Sequence, residues 1–365
     1  MNSHLNNHYK RILETLLVIL IIVGFYSLNG CKPKNPVESD KFLESGIEKF
    51  NKKEYTQAMV DFNIAIDHNS DNAEAYYQRG KLYITQNDIR KGIEDLDNAI
   101  DLNPNNAAYY DARGYAYITI NENQKALEDF NKAIDLDQTK AEYFNRRGYI
   151  YAVMEDFNKA VNDYTNAINI NPEYEEAYAN RGFANTNLKD YYKAIEDFSN
   201  AIRLNYDNST YFNARGYAYA NIKKYAEALG NYDRAIELDP NSKDAYSNRG
   251  FTYSSVGDYD LSVNDFNKAI ELDPSNSVIF NARGYAYSNL KNYNEAINDF
   301  SIAIQLDSNF ADAYVNRGFA NFNSALNIEQ SLKDWEQAIK LNPNLEGNLK
   351  TYIAQAKGYL NEYKK

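Results

Sequence analysis

The chain has 365 residues, with 51 acidic side chains against 39 basic ones and a formal net charge of −12 at pH 7. One hydrophobic core does not grow to that length, so the chain must divide into domains or repeat a smaller unit. The acidic balance excludes nucleic acid, whose binding depends on clustered Lys and Arg, and a single cysteine excludes an internal disulfide.

At the N-terminus, Lys10 and Arg11 precede an apolar run from Leu16 to Phe25, which leads into Ser27-Leu28-Asn29-Gly30-Cys31. The run is too short to cross a bilayer core, which takes roughly 20 apolar residues as a helix, and it has the proportions of a signal-peptide core. Leu28-Asn29-Gly30-Cys31 resembles the bacterial lipobox, with small Gly30 ahead of the sole cysteine and Asn29 an uncommon occupant of its position. The resemblance implies that residues 1–30 are a lipoprotein signal peptide and that the mature chain begins at acylated Cys31. It further implies a body held at a bacterial envelope membrane, outside the cytoplasm; two acyl chains anchor stably where one does not. The competing reading is an uncleaved signal anchor with an incidental cysteine, which leaves the body on the same side. Residues 31–38, including Lys32-Pro33-Lys34-Asn35-Pro36, then predict an extended polar tether of about 3.1 Å per residue.

From there to residue 344 the chain repeats itself. Glycine stands at 46, 80, 114, 148, 182, 216, 250, 284 and 318, always 34 residues apart. An aromatic precedes each by four residues (Phe42, Tyr76 and onward to Tyr314). A small residue follows twelve later (Ala58, Ala126, Ala296), a large one sixteen later (Phe62, Leu96, Phe300) and an alanine nineteen later (Ala65 to Ala303). Three-and-four spacing puts each set on one helix face. The small columns let two antiparallel helices approach, the aromatics fill the layer between them, and Pro104, Pro172, Pro240 and Pro274 close units.

This pattern resembles the tetratricopeptide repeat, a 34-residue helical hairpin. The resemblance implies an all-α, right-handed α-solenoid of about nine hairpins over 39–344, each burying its faces on its neighbours. In the ninth unit Trp335 and Ala338 come one residue late, an insertion near Leu326. Residues 345–365, with Leu345, Leu349, Tyr352, Ile353, Ala356 and Leu360 on one face, predict a C-terminal capping helix.

Arginine precedes the glycine in eight units (Arg79, Arg113, Arg147, Arg181, Arg215, Arg249, Arg283, Arg317), with Ser45 in the first. Fifteen residues after the glycine lies an acid (Asp61, Asp95, Asp129, Asp163, Asp197, Asp265, Asp299), replaced once by Asn231. Pairing each arginine with the preceding unit's acid leaves one mismatch and accounts for Ser45; pairing within units leaves two. The expectation is therefore an inter-repeat ion-pair ladder that sets register, with a basic ladder for anionic ligands as the alternative.

The residue after each glycine forms a further column: Ile47, Lys81, Tyr115, Tyr149, Phe183, Tyr217, Phe251, Tyr285 and Phe319. Four residues on stand Asn187, Asn221, Ser255, Asn289 and Asn323. Family resemblance places these first helices on the inner wall that holds peptides or partner helices. The predicted groove is a chemically neutral stripe of aromatic faces and amides, suited to a peptide backbone or a sugar. The competing reading is packing between repeats in a chain rich in Asn and Tyr. From the fifth unit the motifs alternate (AYANRGFAN against YFNARGYAY), so the period there is 68 residues, which a repeating ligand or a duplicated two-repeat block explains equally well.

Catalysis is not expected. The chain beyond Cys31 holds one histidine, His68, and no glycine-rich phosphate loop; nucleophilic or metal chemistry needs a converging cluster. No metal and no cofactor are expected. The function expected is a lipid-anchored scaffold for a protein or peptide, with a glycan-binding envelope lipoprotein or the regulatory subunit of a separate enzyme as alternatives.

Overall fold

The computed structural model describes residues 34–363, so the lipobox-like segment and Cys31 lie outside the described residues. These residues hold nineteen α-helices and no strand, and no helix among them is long and apolar enough to cross a membrane. The chain divides into two compact units at Glu155. The first contains α1 (Pro36–Asn51), α2 (Tyr55–His68), α3 (Ala73–Thr85), α4 (Ile89–Leu102), α5 (Ala107–Thr119), α6 (Asn123–Leu136) and α7 (Ala141–Val153). The second contains α8 (Phe157–Ile170), α9 (Glu175–Asn187), α10 (Tyr191–Leu204), α11 (Ser209–Asn221), α12 (Tyr225–Leu238), α13 (Lys243–Val256) and α14 (Tyr259–Leu272). It continues through α15 (Ser277–Asn289), α16 (Tyr293–Leu306), α17 (Ala311–Asn323), α18 (Ile328–Leu341), a 3₁₀ turn at Pro343–Leu345 and α19 (Glu346–Tyr363).

In the hairpins of Gly46, Gly114, Gly182, Gly216, Gly250 and Gly284 the repeated glycine faces the ring sixteen residues on. A Cβ built on Gly284 would fall 2.7 Å from the Phe300 ring, so only hydrogen fits there. Ala296 and Ala303 are fully buried on the opposing helix, and Phe300 is 1 % exposed. The ninth hairpin keeps this contact with a larger ring: Trp335 lies against Gly318. Its turn, 324–327, is one residue longer than the 290–292 turn of the hairpin before it, which absorbs the insertion. The far side of Trp335 is closed by α19, which packs Leu349 and Ala356 onto Trp335 and Ala338.

Asparagine, which the sequence offers everywhere, has defined work in the turns. After the second helices, the side chains of Asn69, Asn103, Asn171 and Asn205 accept from the backbone N–H two residues on, at 3.0–3.4 Å, the Asx turn that short polar side chains favour. Asn72, Asn106, Asn208 and Asn276 cap the first helices. Asn35 does the same for α1, accepting from Glu38 N–H at 3.2 Å. The expected tether over 31–38 is thus shorter than its prolines suggested: Pro36 sits in the first turn of a helix, where its missing N–H costs nothing.

The turn inside each hairpin uses a left-handed residue, among them Lys189, Lys223, Lys291 and Ala325 at φ 54–63°, while the seventh repeat uses Gly257 at φ 91°. L-residues pay roughly 1–2 kcal/mol for that conformation. Gly257→Ala should therefore lower stability by about 1 kcal/mol, although a Cβ there meets nothing within 4 Å. Ala325→Gly should raise it, both read from thermal unfolding by circular dichroism.

Candidate functional site

The arginine column pairs differently from the expectation. Arg283 Nε and Nη2 donate to the two Asp299 carboxylate oxygens at 2.8 and 2.7 Å, inside one hairpin. Arg79 with Asp95, Arg113 with Asp129, Arg181 with Asp197, Arg249 with Asp265 and Arg317 with Asp334 repeat that geometry. The pairs Asp61–Arg79, Asp95–Arg113, Asp129–Arg147, Asp163–Arg181, Asp197–Arg215, Asp265–Arg283 and Asp299–Arg317 are corrected accordingly. The antiparallel turn is short enough to bring the acid level with the arginine of its own hairpin. Asp61 instead takes Lys49, 2.6 Å away, so Ser45 marks a substituted cation and not a missing neighbour.

The arginine still reaches the preceding repeat, through Nη1 and the residue two beyond its acid: Arg113 to Asp97 at 2.6 Å, Arg249 to Asp233 at 2.6 Å and Arg283 to Asn267 at 2.7 Å. These guanidiniums clasp two hairpins and lie over the aromatic three residues before them, Arg283 at 5.5 Å from the Phe280 ring. Burial pushes the Asp299 carboxyl above the usual carboxylate range, outweighing the arginine that pulls it down. Arg215, facing Asn231 at 2.8 Å with no carboxylate to offset burial, is lowered.

The aromatic column stands in the open through most of its length. Tyr115, Tyr149, Phe183, Tyr217, Phe251 and Tyr285 are 39–48 % exposed. Phe319 differs: it is partly buried against the last helix, its ring 4.8 Å from Tyr352 and 5.2 Å from Trp335. The amides expected to flank the rings are exposed but spend a donor on their own helix. Asn187, Asn221 and Asn289 donate to the carbonyls of Phe183, Tyr217 and Tyr285 at 2.8–2.9 Å, and Ser255 does so to Phe251. Asn323 lies in a separate hollow with Phe322, Leu326 and Tyr359, beside α19.

Between the rings lie residues that the column did not single out. Asn248 Nδ2 donates to Asn213 Oδ1 at 3.1 Å, and Asn316 Nδ2 to Asn281 Oδ1 at 3.0 Å, each pair joining the first helices of adjacent hairpins. The 68-residue alternation was their signal: NAR and ANR put Asn opposite Asn at one junction and a small residue opposite Ala at the next. The Asn281–Asn316 pair floors a cavity of about 370 Å³ between Phe251 and Tyr285, and Asn248 lines a smaller one of about 190 Å³ between Tyr217 and Phe251. No charged side chain lines either. The first unit departs from this neutrality: the same two positions hold Asp111 and Arg146, which form an ion pair, and Lys81 joins them around a third cavity. Among the described residues, no group of three or more His, Cys, Asp or Glu side chains is placed to hold a metal ion.

Models of the tetratricopeptide repeat match residues 73–106, 141–174 and 244–276, 107–140 and 175–208 and 266–298. A TPR repeat model matches 221–257 and 289–324. Together these matches span more than half of the chain, which belongs to the tetratricopeptide-repeat family. No curated protein matches it by sequence. Among solved structures it is similar to the C-terminal part of a TPR repeat-containing protein of Cytophaga hutchinsonii (18 % identity, TM-score 0.55, covering 66 % of this chain and 98 % of that one). It is also similar to pilF of Pseudomonas aeruginosa (19 %, 0.51, 60 % and 96 %) and to a tetratricopeptide repeat protein of Parabacteroides merdae (17 %, 0.50, 68 % and 98 %). At such identities the likeness is one of fold. Repeats of this family form interaction scaffolds, typically without catalysis of their own.

The clasp yields a test with a defined pH dependence. Asp299 is 2 % exposed and Arg283 17 %, so the arginine can be hydrated alone and the carboxylate cannot. Arg283→Met should cost about 3 kcal/mol at neutral pH, the penalty for a buried unpaired charge. Because the folded carboxyl then binds its proton above the pKa of the unfolded chain, the penalty should shrink as pH falls toward the ordinary carboxylate range. Asp299→Asn should cost less and show no such recovery; chemical denaturation at a series of pH values checks both.

Proposed function

We propose that this chain is a lipid-anchored interaction scaffold that holds an extended segment of a partner protein across the first-helix face of α11, α13 and α15. The observation that carries the reading is the series of half-exposed rings, Tyr217, Phe251 and Tyr285, with uncharged cavities between them. Rings of this kind give large contact area at low entropic cost. At the floor, each asparagine pair spends one donor and one acceptor on itself and keeps an amide N–H and a carbonyl oxygen for a ligand. A peptide group offers the complementary C=O and N–H. The absence of charge along both cavities favours a backbone ligand over an ionic one. The same uncharged, ring-walled cavities, with Ser254 and Ser255 beside them, also suit a sugar, which makes envelope glycan the second reading.

Anchoring rests on Leu28-Asn29-Gly30-Cys31 and the apolar run before it, and it sets the site of action at a bacterial envelope membrane, with the body outside the cytoplasm. Membrane tethering raises the local concentration of the scaffold near partners held at the same surface.

Replacing Tyr217, Phe251 and Tyr285 together with alanine should weaken partner capture at least about a hundredfold, since buried aromatic anchors contribute upward of 1 kcal/mol each, with helicity unchanged. Capture is measured by cross-linking intact cells; undiminished recovery of a protein partner would remove the groove from this reading, and loss of retention on purified envelope glycan alone would favour the second. Cys31→Ser should abolish incorporation of a labelled fatty acid and release the chain from membranes, as fractionation would show.

A further inference from the structure

The start of α1 is fastened to the turn between α2 and α3. Asn35 N–H donates to the His68 carbonyl at 2.8 Å, Lys34 is ion-paired with Asp71, and the Phe42 ring stacks on His68 at 5.9 Å. One turn into the helix Ser39 is fully buried: its hydroxyl donates to the Ala65 carbonyl at 2.7 Å and accepts from Asn72 Nδ2 at 2.9 Å. These contacts hold the chain from Lys34 onward in one place on the body, so none of it serves as a flexible leash.

Only Lys32 and Pro33 separate Lys34 from Cys31. Whatever conformation they take, that stretch spans at most about 11 Å, and a headgroup layer is itself roughly 5–7 Å deep. With acyl chains on Cys31, the start of α1 and the turn at 69–72 therefore have no room to leave the bilayer surface. Val37, 77 % exposed in the first turn of α1, stands where headgroups can cover it. The other end of the hairpin is remote, because the 16 residues of α1 carry the turn at 52–54 about 24 Å along the helix axis. Charge does not draw the helix flat onto anionic lipid: Lys49 is taken by Asp61, which leaves Glu38, Asp40, Glu44 and Glu48 against Lys41 and Lys52. At the turn, Lys34 neutralises Asp71 and leaves only Asp67.

We propose that the lipid surface is itself a partner of the first hairpin: the start of α1 and the turn at 69–72 rest on the headgroups, and the hairpin stands away from the bilayer by its length. The inference rests on the acylation of Cys31 proposed above. It makes the anchor a fixed mount that sets the direction in which α1 leaves the membrane, where a long leash would set only a radius.

The test uses the full acylated chain in vesicles of phosphatidylethanolamine and phosphatidylglycerol that carry a spin label on the headgroup. A fluorophore is attached at Ser70→Cys or, in a second protein, at Glu54→Cys; both positions are exposed, and with the sole native cysteine acylated no other thiol competes. The probe at 70 should lose most of its fluorescence to the label and the probe at 54 little. Inserting about ten glycine and serine residues between Lys32 and Pro33 adds roughly 17 Å of reach and should restore the signal at 70 with the chain still membrane-bound. An unquenched probe at 70, equal quenching at both positions, or quenching that the insertion leaves unchanged would overturn the proposal. Failure of the anchor has a separate signature, no labelled fatty acid on Cys31 and no chain in the vesicle fraction, and would remove both readings together.

Discussion

Two helices can lie as close as these do only where one of them carries nothing larger than hydrogen at the crossing. A ring packed on Gly284 at less than ordinary Cβ distance fixes the rotation of the first helix about its own axis, because turning it would drive a side chain into Phe300. The rest is geometry propagated from that contact. The arginine one residue before the glycine is aimed along the hairpin's second helix, and the residue one after it stands half-exposed beside that helix's ring, as Phe251 does against Phe266. Even the ninth repeat, with a bulkier indole and a longer turn, preserves the contact.

The fold was legible because the period and the small-residue columns are both one-dimensional information. Pairing was not. Spacing allowed each arginine an acid sixteen residues ahead or eighteen behind, and counting mismatches chose wrongly, since Lys49 replaces the first arginine from a different turn and Asn231 is accommodated. Asparagine was likewise undervalued: written off in part to composition, it builds the turns between repeats and the contacts between first helices. The aromatic stripe was found, but not that Phe319 packs against the last helix, because which side of a terminal repeat a cap takes depends on packing that no local motif encodes.

The two units divide their chemistry. In the second, cavities between the rings carry no charge; in the first, the same positions are given to Asp111, Arg146 and Lys81. Substitution at one position in each of three successive repeats makes this difference, because the glycine contact, the alanine columns and the arginine clasp occupy other faces. Specificity can therefore vary along the array without touching what holds it together.

The alternating asparagine junctions carry a consequence for how such a chain can change length. Asn213 meets Asn248 and Asn281 meets Asn316, while Ser247 and Ala282 occupy the corresponding places between them. Excising one hairpin would set the Asn213 amide against a methyl group and strand its hydrogen bond; excising two would restore an amide partner. This part of the molecule is thus free to grow or contract only in even steps, and its copy number is written in dimers of the motif.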